Sequence, residues 1–330
     1  MTTPSNKSIE TRIRSITNLA KDINAFELVA QDGGALPTFS AGAHIDIFLK
    51  DGMVRQYSLC SDPQESHHYV FAVLREASGS GGSVAVHDTL RPGQLLTIST
   101  PRNNFPLSPV AERHLFLAGG IGITPIRAMI HHCLAHGLDF ELVYCTRSED
   151  RTAFCHELTT ESACLIHHDE GKPDRNFDFR AYLAKPIPGT HVYYCGPPSF
   201  MGAVEAATAH WSGGRCHFEY FKTEREEAAI DKGRAATAMD DLSDTVFKVK
   251  INSTNAVFVV PPGRTIVEVL RDNGIEVETS CESGLCGTCR TRYLGGEPDH
   301  QDLILNDDER ERDVLICCAR SLSPVLVLDI

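Results

Sequence analysis

The chain has 330 residues, is 42% hydrophobic, and sets 31 Lys and Arg against 44 Asp and Glu for a formal charge of −13. That length suits two or three domains with a sizeable core, and the acidic balance argues against nucleic acid or an anionic membrane as partner while suiting a basic protein surface. The polar, mixed-charge start is unlike a secretory leader, and the most apolar stretch, LFLAGGIGITPI at 115–126, is too short and glycine-rich to span a bilayer and is ended by Arg127; a cytoplasmic protein is expected, its twelve cysteines being metal ligands or buried thiols rather than disulfides.

Residues 8–105 read as short strands. AFELVA and AHIDIFL alternate, and QYSLCS, HYVFAVL and QLLTIST follow, separated by QDGG, DG and RPGQ. Such regular punctuation predicts an antiparallel barrel or sandwich. RQYSL at 55–59 places a cation, an aromatic ring and a hydroxyl on one strand, and GSGGSVAVHD at 79–88 puts glycines and a serine ahead of a short helix. Arg55 and the amides of Gly81, Gly82 and Ser83 together suit one terminal phosphate.

The pattern then changes. HLFLAGG is an apolar run ending in glycine, ITPIRAMIHHCLAHG has helical spacing, FELVYCTR is a strand, and HVYYCG precedes the helical SFMGAVEAATAHW. Strands alternating with helices predict a parallel α/β sheet over roughly 110–222. GGIGITP at 119–125 lies between strand and helix, where helix N-terminal amides suit a pyrophosphate. It is not G-x-G-x-x-G, and it gains weight from a second strand–turn–helix, YYCGPPSFM at 193–201. Residues 224–242 read as a charged, Ala-rich linker. TVFKVKI and AVFVVPPG then suggest a hairpin, and TIVEVLRDNG an amphipathic helix ended by Gly274.

Cysteines follow at Cys281, Cys286 and Cys289, with the adjacent Cys317 and Cys318 further on. C-x4-C-x2-C with a distant fourth cysteine is the ligand spacing of a plant-type [2Fe–2S] cluster. Thiolates must converge on two irons from one short loop, and Gly284 and Gly287 carry no side chain to obstruct that wrapping. Loop amides can point at the sulfurs and stabilise the negative cluster. Zinc sites seldom combine this gap with so many glycines. Read as an extended segment, DVLICCARS puts Leu315 and Cys317 on one face and Ile316 and Cys318 on the other, so only one of the pair faces the cluster. Periodicity alone does not choose between them.

In order, R-x-Y-S at 55–58, G-G-S at 81–83, GGIGITP, CGP at 195–197 and the C-terminal cysteine loop make the chain from about residue 8 to 330 resemble the phthalate dioxygenase reductase and vanillate demethylase reductase family. The resemblance implies an FMN-binding antiparallel β-barrel at 1–107, an α/β parallel-sheet NAD domain of ferredoxin-reductase type at 108–224, a linker at 225–242 and a β-grasp plant-type ferredoxin at 243–330. It implies FMN, NADH and one [2Fe–2S] cluster as cofactors, a terminal Rieske oxygenase as partner, and a monomer.

Carried over by position, Arg55 and Ser83 hold the FMN phosphate with the Gly81 and Gly82 amides. Tyr57 packs on the isoalloxazine, Ser58 approaches its N5 edge, and Ala72 and Leu74 line the ring. Thr124 stands where flavin and nicotinamide meet. Gly120, Gly122 and Pro125 shape the dinucleotide turn, Cys195, Gly196 and Pro197 border the nicotinamide, and Phe221 covers the flavin. VLICCARS resembles the end of plant-type ferredoxins, which makes Cys317 the fourth ligand beside Cys281, Cys286 and Cys289, and Cys318 a small buried neighbour. Ser58, Thr124 and Cys195 are the catalytic candidates: Ser58 as a hydrogen-bonding orienter, Cys195 as a positioning group rather than a nucleophile.

NADH gives two electrons as a hydride, a cluster takes one, and a flavin does both, so the expected order is NADH, FMN, cluster, oxygenase. A non-enzymatic electron carrier or redox sensor is disfavoured by the intact R-x-Y-S and GGIGITP motifs. A stand-alone NADH:flavin or oxygen reductase leaves the ferredoxin module unexplained. In TRSEDRTAF, Glu149 and Asp150 between Arg147 and Arg151 would repel a 2′-phosphate, which favours NADH. Residues 297–313 hold eight acids against two arginines, a candidate docking face on the cluster domain. The neighbouring histidine pairs are assigned ordinary surface or packing roles, Tyr144 and Phe154 are read as core rather than cofactor contacts, and Cys60, Cys133, Cys145, Cys155, Cys164 and Cys216 as buried small hydrophobes.

Overall fold

The computed structural model describes residues 8–49, 53–77, 81–160, 163–211, 214–221, 246–277, 279, 284, 287–302, 305 and 307–330, and divides into two units, Met1–Ala228 and Ala229–Ile330. The expected linker at 225–242, Cys281 and Cys286 lie outside the described residues. Among the described residues no helix is long and apolar enough to cross a membrane.

The first unit begins with strands β1 (Ser8–Ala20), β2 (Ile23–Ala30), β3 (His44–Phe48), β4 (Val54–Ser58), β5 (Tyr69–Leu74) and β6 (Leu95–Ser99), in the order β4-β3-β6-β1-β2-β5 with antiparallel pairing. The two ends meet at a Leu59–Phe71 bridge, and the Cys60 amide donates to the Val70 carbonyl at 2.8 Å, so the sheet closes into a barrel. Side chains alternate with the two-residue strand period. Phe71 and Val73 point into the barrel core, whereas Val70, Ala72 and Leu74 join an apolar cluster shared with the following sheet.

That sheet comprises β7 (Arg113–Gly119), β8 (Asp139–Thr146), β9 (Cys164–His168), β10 (Thr190–Gly196) and β11 (Cys216–Tyr220), all parallel, in the order β11-β10-β7-β8-β9. β10 is buried at every position and β7 at all but its first, as expected of central parallel strands covered on both faces. The chain runs from β7 outward to β8 and β9, then returns to β10 and moves outward the other way to β11. The switch point therefore lies between β7 and β10, and ligands of open α/β sheets bind outside the strand C-termini at such a point. The segments leaving those two strands are GGIGITP and CGPP, which open the helices Ile123–His136 and Pro198–Thr208.

The second unit contains β12 (Phe247–Ile251), β13 (Val257–Val260), the helix Ile266–Asp272, β14 (Arg290–Gly295), β15 (Pro298–Asp299), the short helix Asp307–Arg310, β16 (Asp313–Leu315), β17 (Arg320–Ser321) and β18 (Val325–Leu328). β12 and β13 form the expected hairpin, and β12 pairs parallel with β18 in the mixed order β13-β12-β18-β14-β16. Val249, Ile251, Leu326 and Leu328 share a core with Ile266, Val267 and Leu270 of the helix, which gives a β-grasp. Thr265 and Glu268 complete a reciprocal capping box at its start, and Gly274 follows its end at φ +73°.

One expectation is corrected. DVLICCARS is extended only through Leu315. The amides of Cys318 and Ala319 both donate to the Leu315 carbonyl, at 3.2 and 3.0 Å, turning the chain so that Ile316 and Cys317 are both buried. The alternation argument therefore fails beyond Leu315, because a turn does not present successive residues to opposite faces.

The capping box generates a stability prediction. Thr265→Ala should destabilise the second unit by about 1 kcal/mol. Urea unfolding followed by the cluster absorbance should show an earlier midpoint, with the flavin-monitored transition of the first unit unmoved.

Candidate functional site: a flavin, nucleotide and iron–sulfur centre

Arg55 of β4 lies against the start of the helix Gly82–Thr89, where a Cβ on Gly82 would overlap Arg55 Nε. Gly81 precedes that helix at φ +80° and offers no side-chain cap, so the first-turn amides are left for an anion, with a guanidinium beside them. The Ser83 hydroxyl accepts from the Glu76 amide at 3.0 Å and closes the preceding loop. Arg55, Gly81, Gly82 and Ser83 thus come together at one helix start, an arrangement with the chemistry of an anion site. Tyr57 stacks on Phe71 at 5.3 Å, and Phe71 stacks on Phe26 at 5.2 Å. This column fixes the Tyr57 ring from one side, and burial pushes its phenol up from the usual range.

Ala72, Leu74, Ile121, Cys195 and Phe221 share one apolar cluster, so the expected ring-lining and nicotinamide residues belong to a continuous surface. The two turns at the switch point pack backbone to backbone. A Cβ on Gly122 would overlap the Cys195 carbonyl, and one on Gly196 would sit 3.0 Å from Gly119 Cα and against Phe200. Gly120 adopts φ +53°, and Pro197 leads into Pro198 at the first helical turn. Pro125 and Thr124 are buried, and the Thr124 hydroxyl donates to the Ile121 carbonyl at 3.0 Å. The Cys195 thiol is fully buried, and burial and then Glu219 push it well above its ordinary value, so it is no nucleophile.

Glu219 is the residue that sequence reasoning missed. It lies on β11 with its side chain 14% exposed, accepts the Ser58 hydroxyl at 3.1 Å, and stands 3.9 Å from His44 Nδ1. Burial pushes its carboxyl up to about 8, and burial and then Arg102 hold His44 down to about 3. Arg102 itself pairs with Asp46 at 2.7 Å. A signal was present: in HFEYF the two-residue period puts Glu219 on the same face as Phe221.

In the second unit Cys289 and Cys317 are 4% and 2% exposed, and the Gly284 amide donates to Cys317 Sγ at 3.2 Å. Hydrogen bonds from Cys289, Cys318 and the Gly284 amide hold the Cys317 thiol down to about 4, a setting that favours the ligating thiolate. Gly284 sits at φ +74°, and a Cβ there would lie 2.6 Å from Cys318 Sγ. The Cys318 thiol donates to the Leu315 carbonyl at 3.5 Å. The donor set and the side-chain-free turn fit a cluster.

The remaining residues are structural. His68 faces Glu65 at 3.3 Å, His131 faces Glu157 at 3.4 Å, and His167 meets the Arg175 carbonyl at 2.7 Å. Tyr144, Cys60 and Cys133 are fully buried, whereas Cys145, Cys155, Cys164 and Cys216 are only partly so because they lie toward element ends and outer strands.

A closed antiparallel barrel with an arginine at a glycine-led helix start, a parallel sheet with paired glycine turns and a β-grasp with the buried Cys289 and Cys317 have the architecture of a modular pyridine-nucleotide-dependent iron–sulfur oxidoreductase. Residues 116–206 match the oxidoreductase NAD-binding domain, and residues 249–322 match the 2Fe-2S iron-sulfur cluster binding domain. The chain is 44% identical to the tert-butanol monooxygenase / tert-amyl alcohol desaturase reductase subunit of Aquincola tertiaricarbonis, over 98% of this chain and 96% of that protein. It is 43% identical to a vanillate O-demethylase oxidoreductase of Pseudomonas sp. (strain HR199 / DSM 7063), over 98% and 100%. The solved structure of phthalate dioxygenase reductase, described as modular for electron transfer from pyridine nucleotides to [2Fe-2S], superposes with a TM-score of 0.70 at 41% identity and covers 98% of both chains. The chain belongs to the phthalate dioxygenase reductase family. It is an oxidoreductase of the oxygenase-reductase type, with an NAD-binding domain and a [2Fe–2S] domain.

Glu219 generates a pH prediction. Its folded value is raised, so the carboxyl is neutral below about pH 8 and becomes an anion beside Ser58 above it. A nearby negative charge disfavours arrival of a hydride. Flavin reduction by NADH should therefore slow as pH rises through about 8, and Glu219→Gln should hold the low-pH rate across that window. Stopped-flow rates between pH 6.5 and 9 check this.

Proposed function

We propose that this chain passes electrons from NADH through FMN and its cluster to a terminal Rieske-type oxygenase. The observation that carries the reading is the Ser58–Glu219 hydrogen bond at 3.1 Å, which joins the end of the barrel strand to the nucleotide sheet beside Cys195. When bound, FMN supplies the exchange between a two-electron hydride donor and a one-electron cluster.

The protein's own part is binding and orientation. Arg55 with the Gly81, Gly82 and Ser83 amides holds the flavin phosphate, and Tyr57, Ala72 and Leu74 confine the ring. Ser58 orients the reacting edge, its hydroxyl held by Glu219. Gly120, Gly122, Thr124 and Pro125 receive the dinucleotide, Cys195, Gly196 and Pro197 border the nicotinamide, and Phe221 covers the flavin and excludes water. Cys281, Cys286, Cys289 and Cys317 ligate iron. NADH is favoured over NADPH because Arg151 is engaged by Asp22 at 3.4 Å, and Glu149 and Asp150 are exposed where a 2′-phosphate would arrive. The Ser148 hydroxyl, then Lys21 and Arg151, hold the Asp150 carboxyl below its ordinary value, so it stays an anion.

The acidic segment is a narrower docking face than its composition suggests. Arg290 engages Glu309 at 2.7 Å and Asp313 at 2.6 Å, and the buried Asp302 lies 3.6 Å from Arg310. Asp308 and Glu311 are exposed. Electron transfer needs a short-lived complex, and complementary charge raises the on-rate more than the residence time.

Two experiments test the reading. Cys317→Ser should abolish the visible cluster absorption while NADH–ferricyanide turnover through the flavin continues, and Cys318→Ser should keep the cluster; the reverse pattern would overturn the ligand assignment. Reduction of the oxygenase should slow as salt rises, because exposed charges are screened beyond about 8 Å at physiological ionic strength. The pair Asp308→Lys and Glu311→Lys should slow it too and flatten that salt dependence. Stopped-flow traces indifferent to both would show that docking lies elsewhere.

A further inference from the structure

One cation ties the barrel to the nucleotide sheet beside the reacting groups. Arg127 follows Thr124 by three residues in the helix Ile123–His136, so the two stand on neighbouring positions of one helix face. Its side chain is 16% exposed. Nε donates to both Glu157 oxygens at 3.0 and 3.1 Å, and Nη2 donates to Oε2 at 2.8 Å. Nη1 donates to the backbone carbonyl of Cys60. The guanidinium carbon lies 4.5 Å from the centre of the Phe154 ring.

Cys60 follows Ser58 by two residues and is itself fixed, its amide and thiol both donating to the Val70 carbonyl, at 2.8 and 3.3 Å. One planar fork therefore has one arm on the segment that carries Ser58 and the other on Glu157 of the nucleotide domain, and it grows from the helix that carries Thr124. Glu157 and Phe154 hold the fork's plane, and Phe154 is kept in the left-handed region at φ 58° just before the short helix Cys155–Leu158. A non-glycine residue at such an angle persists only where its surroundings over-determine it.

We propose that Arg127 is a positioning residue for hydride transfer, setting the distance between the Thr124 end of the nucleotide helix and the Ser58 end of β4 through the Cys60 carbonyl. This rests on the reading that the hydride passes between groups held at those two ends. A charged fork suits the task because its hydrogen bonds are directional and its protonation does not vary, and hydride transfer is sensitive to small displacements. The residue touches neither the phosphate cradle nor the glycine turns, so binding and chemistry are separable.

The test is anaerobic stopped-flow reduction of the FMN-replete full chain by NADH, for the native protein, Arg127→Met, Arg127→Lys and Glu157→Gln. The expected result for Arg127→Met is an NADH half-saturation within about threefold of native and a limiting flavin-reduction rate lowered about 10- to 100-fold. Arg127→Lys should recover part of the rate, since an ammonium still reaches the Cys60 carbonyl, and Glu157→Gln should fall between. A limiting rate for folded, FMN-replete Arg127→Met within about twofold of native overturns the proposal, as does a loss confined to half-saturation or to FMN content. Should Arg127→Met fail to fold, native limiting rates in both Arg127→Lys and Glu157→Gln overturn it equally. A native protein that NADH does not reduce would instead refute the underlying reading.

Discussion

At the C-terminal edge of the parallel sheet the backbone of one glycine turn lies directly on the backbone of another. No side chain fits between Gly122 and the Cys195 carbonyl, or between Gly196 and Gly119. This contact seats the two turns side by side at the ends of the paired strands β7 and β10, where the helices Ile123–His136 and Pro198–Thr208 begin. The apolar cluster around these turns draws on the outward face of β5 as well as on β7 and β10. The barrel and the parallel sheet therefore share one core at the level of these turns.

The electrostatics of the junction follow from that burial. Desolvation leaves the Cys195 thiol, the Glu219 carboxyl and the His44 imidazole neutral near pH 7, although they are of three different chemical types. The fixed charges nearby are already paired, Arg102 with Asp46 and Arg127 with Glu157. A site that transfers a hydride needs shape, dryness and a steady potential more than a strong acid or base. Here the Ser58 hydroxyl is held in one direction by Glu219, and the unpaired groups around it stay uncharged.

The sequence was legible where one local rule decided the outcome. Alternation in INAFELVA and YVFAVL marks half-buried strands, the all-apolar β7 and β10 mark a parallel centre, and Thr265, Glu268 and Gly274 bracket a helix. The meeting of Arg55 with the glycine turn at 81–82 was legible because a strand cation and glycines before a helix suit one purpose. β1 was not singled out, since charged residues on its outward face dilute its pattern, although it is the longest strand. Glu219 and Arg127 were missed for a different reason. Each sits in an ordinary amphipathic element and gains its meaning from a partner 161 or 67 residues away. The turn at Cys317 was misjudged because the hydrogen bonds that end β16 are made by backbone, which the residue types do not announce.

Among the described residues the barrel is sealed along β4 and β5 by few backbone–backbone contacts: one isolated bridge at Leu59–Phe71 and the Cys60 amide on Val70. Every other junction in that sheet is a longer ladder. Local opening of a protein begins where the fewest backbone bonds must break together. The loosest seam of the barrel thus falls next to Ser58 rather than at a remote edge. A ligand that bridged the seam would act as a stitch, tightening the whole barrel as well as taking part in chemistry.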